Sequence, residues 1–390
     1  MVEEKTEKLS EQEIIHHIVG TTLGKGQSFT LWRMPDSDEK TLLISGVVSK
    51  ADDFILEESV PGFVFAPFRP DKKKIFFPAD QIFRFKNGAL QEDILSPSPE
   101  YTKDIRERQS VLSRQQLHHL PYSNPPAGNY IQLVETGIHE IKQGKLEKIV
   151  PSQIKDVAVR AGLDVLRVFE TLCANHPHAM VSLVSSPETG TWVGATPELL
   201  VSVDAQQKFK THALAGTLPY TPATDLKSVA WTEKEIEEQA LVSRYIISCF
   251  NKIKVQSYLE YGPRTIIAGN LLHLKTEYEV DMKAINFPQL GSVMLKLLHP
   301  TSAVCGMPLE QSLAFLQQHE THDREFYSGY LGPVNLRGES SIFVNLRCMQ
   351  LFKDHARIYA GAGVTADSIP QKEQEEIEIK MKFLLNSLLH

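Results

Sequence analysis

The sequence contains little cysteine, in no arrangement that indicates a zinc site or a disulfide framework. The 390 residues include four cysteines, and these are scattered without the C-x-x-C spacing of zinc sites. Cysteine usage of this kind is typical of a reducing compartment, and no cysteine is a candidate nucleophile. The four are Cys173, Cys249, Cys305 and Cys348.

Long hydrophobic runs, short-period repeats and an excess of basic charge are missing as well. The N-terminal segment, residues 1–8, is charged, and no window reaches the roughly 20 apolar residues that a transmembrane helix needs. Lys and Arg number 41 against 48 Asp and Glu, so the net charge of −7 offers no basic surface to nucleic acid or to an anionic membrane. We therefore expect a cytoplasmic protein that binds neither nucleic acid nor membrane.

What the sequence does contain is the composition and element order of a folded α+β protein. Hydrophobic residues make up 42% of the chain and charged residues 23%, which is typical of globular proteins. Residues 1–120 predict a helix over residues 11–18 and several strands, but hold no motif that carries chemistry. A proline-containing loop is expected at residues 96–100 and a linker at residues 117–126. Helices and strands then follow in mixed order, which predicts large antiparallel sheets.

A lysine enters a β-branched run soon after the first predicted helix of the C-terminal part. That helix runs from Tyr130 to Gln143, and Gly144 suits its C-cap. Lys148 then begins Lys-Ile-Val, where the alternation of a strand would turn its side chain to one face. On a buried face a lysine can lose its proton and act as a base. The alternative is a surface lysine that protects an edge strand.

A glutamate stands among apolar residues in the run Gly-Ala-Thr-Pro-Glu198-Leu-Leu. Residues 199–203 read as a strand, so Glu198 would lie at a strand edge with apolar neighbours. Such an environment should raise its pKa, so that the carboxyl can carry a proton at neutral pH. The alternative is a solvated glutamate that follows a Thr-Pro turn. A second strand-like run is interrupted by Gly216 and Thr217.

A further carboxylate lies on a helix with a well-defined start. Thr-Glu-Lys-Glu at residues 232–235 is a capping box and predicts a helix up to Phe250. Glu238 falls on the apolar stripe of that helix. A carboxylate in line with a core-facing stripe needs a partner, and a metal ion would serve. The alternative is that Glu238 is only the polar end of the stripe.

The C-terminal helix carries a second group of charged residues. Pro370 suits the first turn of this helix, and Glu373, Glu376 and Lys380 then share one face. The preceding Ala-Gly-Ala-Gly places Gly361 where its backbone amide can approach an anion near the helix N-terminus. The alternative is an ordinary surface ion pair between Glu376 and Lys380, which contributes only a few tenths of a kcal/mol.

An arginine interrupts an apolar segment that we predict to be a strand, residues 342–351. Arg347 lies there between Leu346 and Cys348 and implies a buried anion, such as a carboxylate that its planar guanidinium can engage. His273 lies in the apolar run Leu-Leu-His-Leu. A single histidine in such a run is more often a hydrogen-bonded core residue than a ligand, so it serves as support only.

Together these motifs resemble the chorismate-utilising enzymes, which include isochorismate synthase, salicylate synthase and the large components of anthranilate synthase and aminodeoxychorismate synthase. The resemblance covers residues 130–390 and leaves residues 1–120 without a match. It implies one large domain over residues 1–390, with two packed antiparallel sheets and helices outside, and a Mg²⁺-dependent reaction on chorismate. The motifs that carry it are, in order, Lys148, Gly-Ala-Thr-Pro-Glu198, Leu-Ala-Gly-Thr217, Glu238, His273, His299-Pro-Thr, Arg324-Glu-x-Tyr-x-Gly, Arg347, Ala-Gly-Ala-Gly and Ser-x-Pro-x-x-Glu-x-x-Glu376-x-x-x-Lys380.

The resemblance also implies a role for each of these positions. Lys148 would be the base that activates water for attack at C2, and Glu198 the acid that protonates the leaving C4 hydroxyl. Mg²⁺ would be held by Glu238 and Glu376, with Glu373 reaching the metal through water. The implied substrate-binding residues are Gly216, Thr217, His273, Ala303, Arg347, Gly361 and Lys380.

Two positions favour isochorismate synthase within the family. Ala215 stands where aminodeoxychorismate synthases carry a nucleophilic lysine, and Lys148 stands where anthranilate synthases carry a glutamine. No glutaminase subunit is therefore expected. Pro-Ser-Gln at residues 151–153, Gln239 and Glu235 depart from the usual pattern and bear on the subfamily only.

Three alternatives stay open from the sequence. Salicylate synthase uses nearly the same residues and adds elimination of pyruvate from isochorismate. An anthranilate synthase component is disfavoured because no tryptophan-binding segment is recognisable, and an inactive paralogue is disfavoured because the base, the acid and the metal carboxylates are all present. Menaquinone, siderophore and salicylate biosynthesis are equally compatible with the motifs.

Overall fold

The computed structural model of the chain describes residues 10–91, 117–126, 128–160, 163–221, 224–226, 228–268 and 271–388. The charged segment at residues 1–8 and the loop expected at residues 96–100 lie outside these ranges. Within them, no helix combines the length and the apolar character that crossing a membrane requires.

Several of the helices begin at capping signals in the sequence. They are α1 (Glu11–Gly24), α2 (Tyr130–Lys142), α3 (Val165–Asn175), α4 (Glu233–Lys252), α5 (Leu290–Leu298), α6 (Leu309–His319) and α7 (Pro370–Leu388). The predicted capping box at the start of α4 is present, with Thr232 and Glu235 as its members. Helix α1 also starts with a capping box and extends beyond the predicted end at residue 18. Gly144 follows α2 with a φ of 74°, a left-handed conformation that glycine adopts without strain.

The strands cover both the motif-poor and the motif-rich parts of the chain. They are β1 (Ser28–Arg33), β2 (Lys40–Ser45), β3 (Ser49–Ala51), β4 (Gly62–Ala66), β5 (Lys74–Pro78), β6 (Gln81–Lys86), β7 (Ala89–Gln91), β8 (Lys148–Ile149), β9 (Ser152–Ala158), β10 (Met180–Ser186), β11 (Gly190–Thr196), β12 (Leu199–Val203), β13 (Lys208–Pro219), β14 (Leu259–Ala268), β15 (Leu271–Asp281), β16 (Gly306–Met307), β17 (Tyr330–Val334), β18 (Ser340–Val344), β19 (Cys348–Leu351) and β20 (His355–Gly361).

These strands form two nine-stranded antiparallel sheets, which confirms the predicted α+β class. The first sheet has the order β7-β6-β2-β1-β10-β11-β19-β20-β9, and the second has the order β14-β15-β13-β12-β18-β17-β4-β5-β3. Strands β8 and β16 pair separately as a two-stranded ribbon. Strands from residues 28–91 belong to both sheets, so the motif-poor part contributes to the same scaffold. The single domain over residues 1–390 stays a prediction, because it includes residues outside the described ranges.

An aromatic cluster fills the space between the sheets. Trp192 of the first sheet and Phe65 of the second are both buried and meet edge to face at 6.0 Å. Phe326 stacks on Phe65 with ring centroids 4.1 Å apart. Burying one such side chain contributes about 1.5 to 3 kcal/mol, so this cluster is a main source of the attraction between the sheets.

Two of the passages of the chain between the sheets are adjacent to each other. Pro197 and Glu198 connect β11 in the first sheet to β12 in the second, and residues 345–347 connect β18 in the second sheet to β19 in the first. The two crossings are bonded to each other, since the Ala195 amide donates to the Arg347 carbonyl at 3.1 Å and the Val344 amide donates to the Glu198 carbonyl at 2.9 Å. These two hydrogen bonds keep the two crossings next to each other.

The prediction of one continuous strand over residues 342–351 is wrong. The strand breaks at residues 345–347, where the chain leaves one sheet for the other. Arg347 has a φ of 48°, a left-handed conformation that a strand does not contain. The apolar residues on either side are buried in different sheets, and their pattern alone cannot show that the sheet changes between them.

Gly329 allows the close approach of two strands near this corner. A Cβ added at Gly329 would stand 2.0 Å from the Ala66 carbonyl oxygen, which belongs to the backbone and cannot rotate away. We expect Gly329→Ala to lower the free energy of unfolding by about 3 kcal/mol. Gly24→Ala is the matched control, because nothing lies within 4 Å of its added Cβ, and it should leave the stability unchanged or slightly higher. Urea unfolding of both variants measures this, and equal midpoints would contradict it.

Candidate active site

A cavity beside the two crossings brings together residues that are far apart in the sequence. Its walls come from the crossings, the β8–β16 ribbon, the long strands β13 and β15, and the helices α4 and α7. Most of the site residues implied by the family resemblance line it. These are Lys148, Glu198, Gly216, Thr217, Glu238, His273, Ala303, Arg347, Gly361, Glu376 and Lys380.

Lys148 is a buried lysine, so the surface alternative is wrong. It begins β8 and pairs with Met307 of β16, and only 3% of its surface is exposed. Gly363 makes room for its side chain, since a Cβ there would stand 3.3 Å from the Lys148 Nζ and 3.5 Å from the Glu238 Oε1. The amino group of Lys148 and the carboxylate of Glu238 therefore both lie beside the same glycine.

Glu198 is a buried acid, so the solvated alternative is wrong too. It lies on the first crossing with 9% of its surface exposed. Burial raises the pKa of the Glu198 carboxyl from the usual 4.5 to about 7, although the cations of Lys148, Arg347 and Lys380 act in the opposite direction. At neutral pH the group is therefore present in both protonation states, as general acid catalysis requires.

His273 connects Arg347 to the backbone on the opposite wall of the cavity. Burial, together with the neighbouring Arg347, lowers the pKa of His273 to about 3, so the ring is neutral. Its Nδ1 donates to the Gly216 carbonyl at 2.7 Å, which leaves Nε2 to accept from Arg347 at 3.2 Å. Gly216 has a φ of 70° and lies where the pairing of β13 with β15 shifts register. The supporting role expected for His273 therefore has a definite geometry here.

Lys380 connects the end of β20 to helix α7. Its Nζ lies 2.8 Å from the Gly361 carbonyl and 2.8 Å from the Glu376 Oε1, so the expected ion pair exists and forms part of the cavity wall. Burial raises the pKa of the Glu376 carboxyl, but Lys380, together with Lys234 and Lys148, more than offsets this and holds it below its usual value. Glu376 is therefore ionised at neutral pH.

Glu373 does not line the cavity, unlike the other residues implied by the resemblance. It is buried, with 2% of its surface exposed, and its Oε1 lies 3.1 Å from the Lys234 Nζ. Burial raises the pKa of Glu373, against the effect of Lys234. The pKa of Lys234 is itself raised, because the carboxylates of Glu373 and Glu238 outweigh its burial. Several carboxylates thus already surround one cation beside the cavity.

Glu238 and Glu376 both line the cavity, and their carboxylates can offer oxygens to a metal ion there. Within the described part of the chain, no group of three or more His, Cys, Asp or Glu side chains is placed to bind a metal. A hard divalent cation does not need one, because Mg²⁺ is commonly bound by one or two carboxylates together with water and oxygens of the substrate. The two carboxylates therefore fit a cation whose remaining ligands are water and oxygens of the substrate.

Two tyrosines of the cavity wall were not among the residues expected from the sequence. Tyr327 and Tyr359 are both buried and stack with ring centroids 5.3 Å apart. A Cβ added at Gly361 would stand 3.2 Å from the Tyr327 hydroxyl. Tyr327 belongs to the Arg-Glu-x-Tyr-x-Gly motif, so the family motif in the sequence includes it. Nothing in the sequence pattern, however, gave a physical reason to place its side chain in the cavity.

Comparison with known protein families matches the part of the chain that forms the cavity. The sequence model of the chorismate binding enzyme family matches residues 86–389. The chain belongs to this family. The match includes every residue of the cavity described above and begins near the end of β6.

Similar proteins of the family include two curated enzymes and one solved structure. The vibriobactin-specific isochorismate synthase of Vibrio cholerae is 28% identical over 269 residues, or 67% of each chain. An isochorismate synthase of Bacillus subtilis is 28% identical over 322 residues, or 80% of this chain and 79% of that one. A solved structure described as a 2,3-dihydroxybenzoate-specific isochorismate synthase, from Bacillus anthracis, superposes with a TM-score of 0.72 at 25% identity and covers 94% of this chain and 98% of its own.

The raised pKa of Glu198 predicts how the free energy of unfolding depends on pH. Because the folded-state pKa of about 7 lies above the usual 4.5, the folded protein binds a proton that the unfolded chain has released between those pH values. This contribution is complete below about pH 4.5 and is lost as the pH rises through 7, which amounts to about 3 kcal/mol. Glutamine does not titrate, so the Glu198→Gln variant does not undergo this loss. Its stability should therefore rise relative to that of the parent protein from pH 5 to pH 8. Urea unfolding at several pH values measures the difference, and a constant difference would show an ordinary carboxyl.

Proposed function

We propose that the protein is an isochorismate synthase, which converts chorismate reversibly to isochorismate. The observation that carries this proposal is that a buried lysine, Lys148, and an acid with a pKa of about 7, Glu198, line one cavity. The names of the relatives in Vibrio cholerae and Bacillus subtilis support it. Such a pair can take a proton from a water molecule that attacks one carbon of a ring and give a proton to a hydroxyl that leaves another.

The proposed reaction replaces one hydroxyl by another. Lys148 in its neutral form takes a proton from a water molecule, whose oxygen bonds to C2 of chorismate. The ring double bonds shift, the bond from C4 to its hydroxyl oxygen breaks, and Glu198 in its acid form protonates that oxygen as it leaves as water. One water enters and one leaves, and reversing the two proton transfers regenerates chorismate. This balance explains why a base and an acid are both needed.

The cations of the cavity would bind the two carboxylates of the substrate. Arg347 is oriented by its contact with the neutral ring of His273, and Lys380 is held by the Gly361 carbonyl. Burial lowers the pKa of Arg347 to about 10, which leaves its guanidinium charged at neutral pH. An arginine and a lysine on separate walls suit a ligand with two separate carboxylates. Thr217 and Ala303 would line the space around the ring.

We further propose that Mg²⁺ binds to Glu238 and Glu376. Bound there, the ion would supply positive charge to the ring carboxylate of chorismate and stabilise charge that develops in the reaction. Glu373 and Lys234, beside the cavity, would influence these ligands without contacting the substrate. We propose no glutaminase partner, because water, not ammonia, is the nucleophile, and we propose a cytoplasmic location for the enzyme.

The product identifies the enzyme. Purified protein with chorismate and Mg²⁺, without ammonia, should form isochorismate, and a chelator should abolish the reaction until Mg²⁺ is restored. Chromatography of the products measures this. Salicylate together with pyruvate would instead indicate salicylate synthase, and the absence of any turnover would point to an amine-dependent or inactive protein.

Single substitutions test the proposed base and acid separately. Lys148→Met and Glu198→Gln should each lower kcat by a factor of about 10² to 10⁴, since each removes one proton transfer. Lys145→Met and Glu188→Gln are matched controls, because both side chains are largely exposed and form only surface ion pairs. Initial rates at saturating chorismate and Mg²⁺ measure the effect. Turnover that survives either active-site substitution would exclude the mechanism given above.

A further inference from the structure

Helix α7 brings an aromatic ring next to the arginine of the cavity. Phe383 follows Lys380 by one turn of this helix and is half-buried. The Arg347 Cζ lies over its ring, 5.3 Å from the ring centroid. A guanidinium within about 6 Å of an aromatic centroid is attracted by the negative charge on the face of the ring. Phe383 therefore contacts a proposed substrate-binding group, although it does not itself line the cavity.

A second ring stacks on Phe383. The centroid of the His176 ring lies 3.8 Å from that of Phe383, with an angle of 24° between the two planes. His176 is buried at the end of α3, where its amide donates to the Leu172 carbonyl at 3.0 Å. Its own carbonyl accepts from the Arg33 Nη2 at 2.6 Å. Since α3 also packs against α7, both rings belong to segments that the scaffold holds in place.

The His176 ring adds no positive charge beside the arginine. Burial lowers the pKa of His176 to about 4, and the cations of Arg347 and Arg33 act in the same direction. The ring is therefore neutral at neutral pH. A neutral imidazole and a phenyl ring can pack beside the guanidinium without charge repulsion.

Two contacts of different kinds thus restrain Arg347. The hydrogen bond from its Nη2 to the His273 Nε2, at 3.2 Å, fixes one nitrogen of the guanidinium. A group that is bonded at one nitrogen can still rotate about that bond. The contact with the Phe383 ring restrains the central carbon as well, so the position and the direction of the planar group are both restricted.

We propose that Phe383, supported by His176, is a positioning residue that holds the guanidinium of Arg347 in place before a substrate carboxylate binds. This inference rests on the proposed function, because it takes Arg347 to bind a carboxylate of chorismate. A side chain that is already ordered loses less conformational entropy on binding, and immobilising one flexible side chain changes a binding constant by a factor of about 2 to 10. The ring therefore contributes to the affinity for chorismate and takes no part in either proton transfer.

The test is the split between KM and kcat for chorismate, measured with the full-length protein at saturating Mg²⁺. Phe383→Leu keeps an apolar side chain but removes the ring, so KM should rise about 5-fold while kcat stays near that of the parent protein. The Kd for chorismate should rise by the same factor in a Lys148→Met background, where turnover is too slow to disturb calorimetry. Phe383→Tyr keeps the ring and should retain the parent KM. His176→Leu removes the supporting ring and should raise KM as well.

Phe352→Leu is the matched control. Phe352 is buried, and its ring centroid lies at the same distance, 5.3 Å, from the Arg357 Cζ. Arg357 is bonded to Asp156 at 2.8 Å and does not line the substrate cavity. This variant should lower the melting temperature and leave KM unchanged.

A double variant tests whether Phe383 acts through Arg347. Lysine lacks the planar group that packs on the ring, so Phe383→Leu should change KM much less in an Arg347→Lys background than in the parent protein. Additive effects on KM would show that Phe383 acts on the affinity by another route and would overturn the inference.

The remaining outcomes separate this inference from the proposed function. If the parent protein forms isochorismate and Phe383→Leu leaves KM unchanged or lowers kcat alone, the positioning role is wrong and the proposed function stands. Equal increases of KM in Phe383→Leu and Phe383→Tyr would also overturn the role, because the ring would then not be the cause. If the parent protein neither binds nor converts chorismate, the proposed function fails and the role of Phe383 fails with it.

Discussion

The site depends on two adjacent passages of the chain between the sheets. Glu198 lies on one and Arg347 on the other, and backbone hydrogen bonds join the two. A residue within a strand is surrounded by its neighbours on both sides, whereas a residue that leaves one sheet for another can direct its side chain into the opening between them. The aromatic cluster between the sheets holds this corner closed, so the acid and the arginine occupy positions that the scaffold determines.

Burial then sets the chemistry of the groups that meet there. Taking a carboxyl out of water raises the pKa of Glu198 to about 7, while taking a histidine out of water keeps His273 neutral. Glu376 is also buried, yet Lys380 at 2.8 Å keeps it ionised. Two glutamates in one cavity thus differ in protonation because one of them has a close cation. Such a division suits one to proton transfer and the other to binding a cation.

Local signals in the sequence predicted the local structure well. The capping box at Thr232 and the glycine after α2 placed helix ends correctly, because these signals act within a few residues. The burial of Lys148 and Glu198 could be proposed only as one of two alternatives, since a strand lysine or a glutamate after a turn reads the same on either face. Arg347 was assigned to a continuous strand, because the apolar pattern does not record which sheet buries each residue.

By itself the sequence determined the α+β class, the starts of α1, α2, α4 and α7 and, through the resemblance of its motifs, the family. The class and the helix starts follow from periodicity and capping, which are properties of neighbouring residues, and the family follows from the resemblance of the motifs to those of known enzymes. Only the tertiary structure decided that Glu373 pairs with Lys234 outside the cavity and that Tyr327 lines it. Each of these depends on contacts between residues far apart in the chain. The burial and charge that such contacts create, which set protonation and hydrogen bonding, exist only once the sheets and helices have packed.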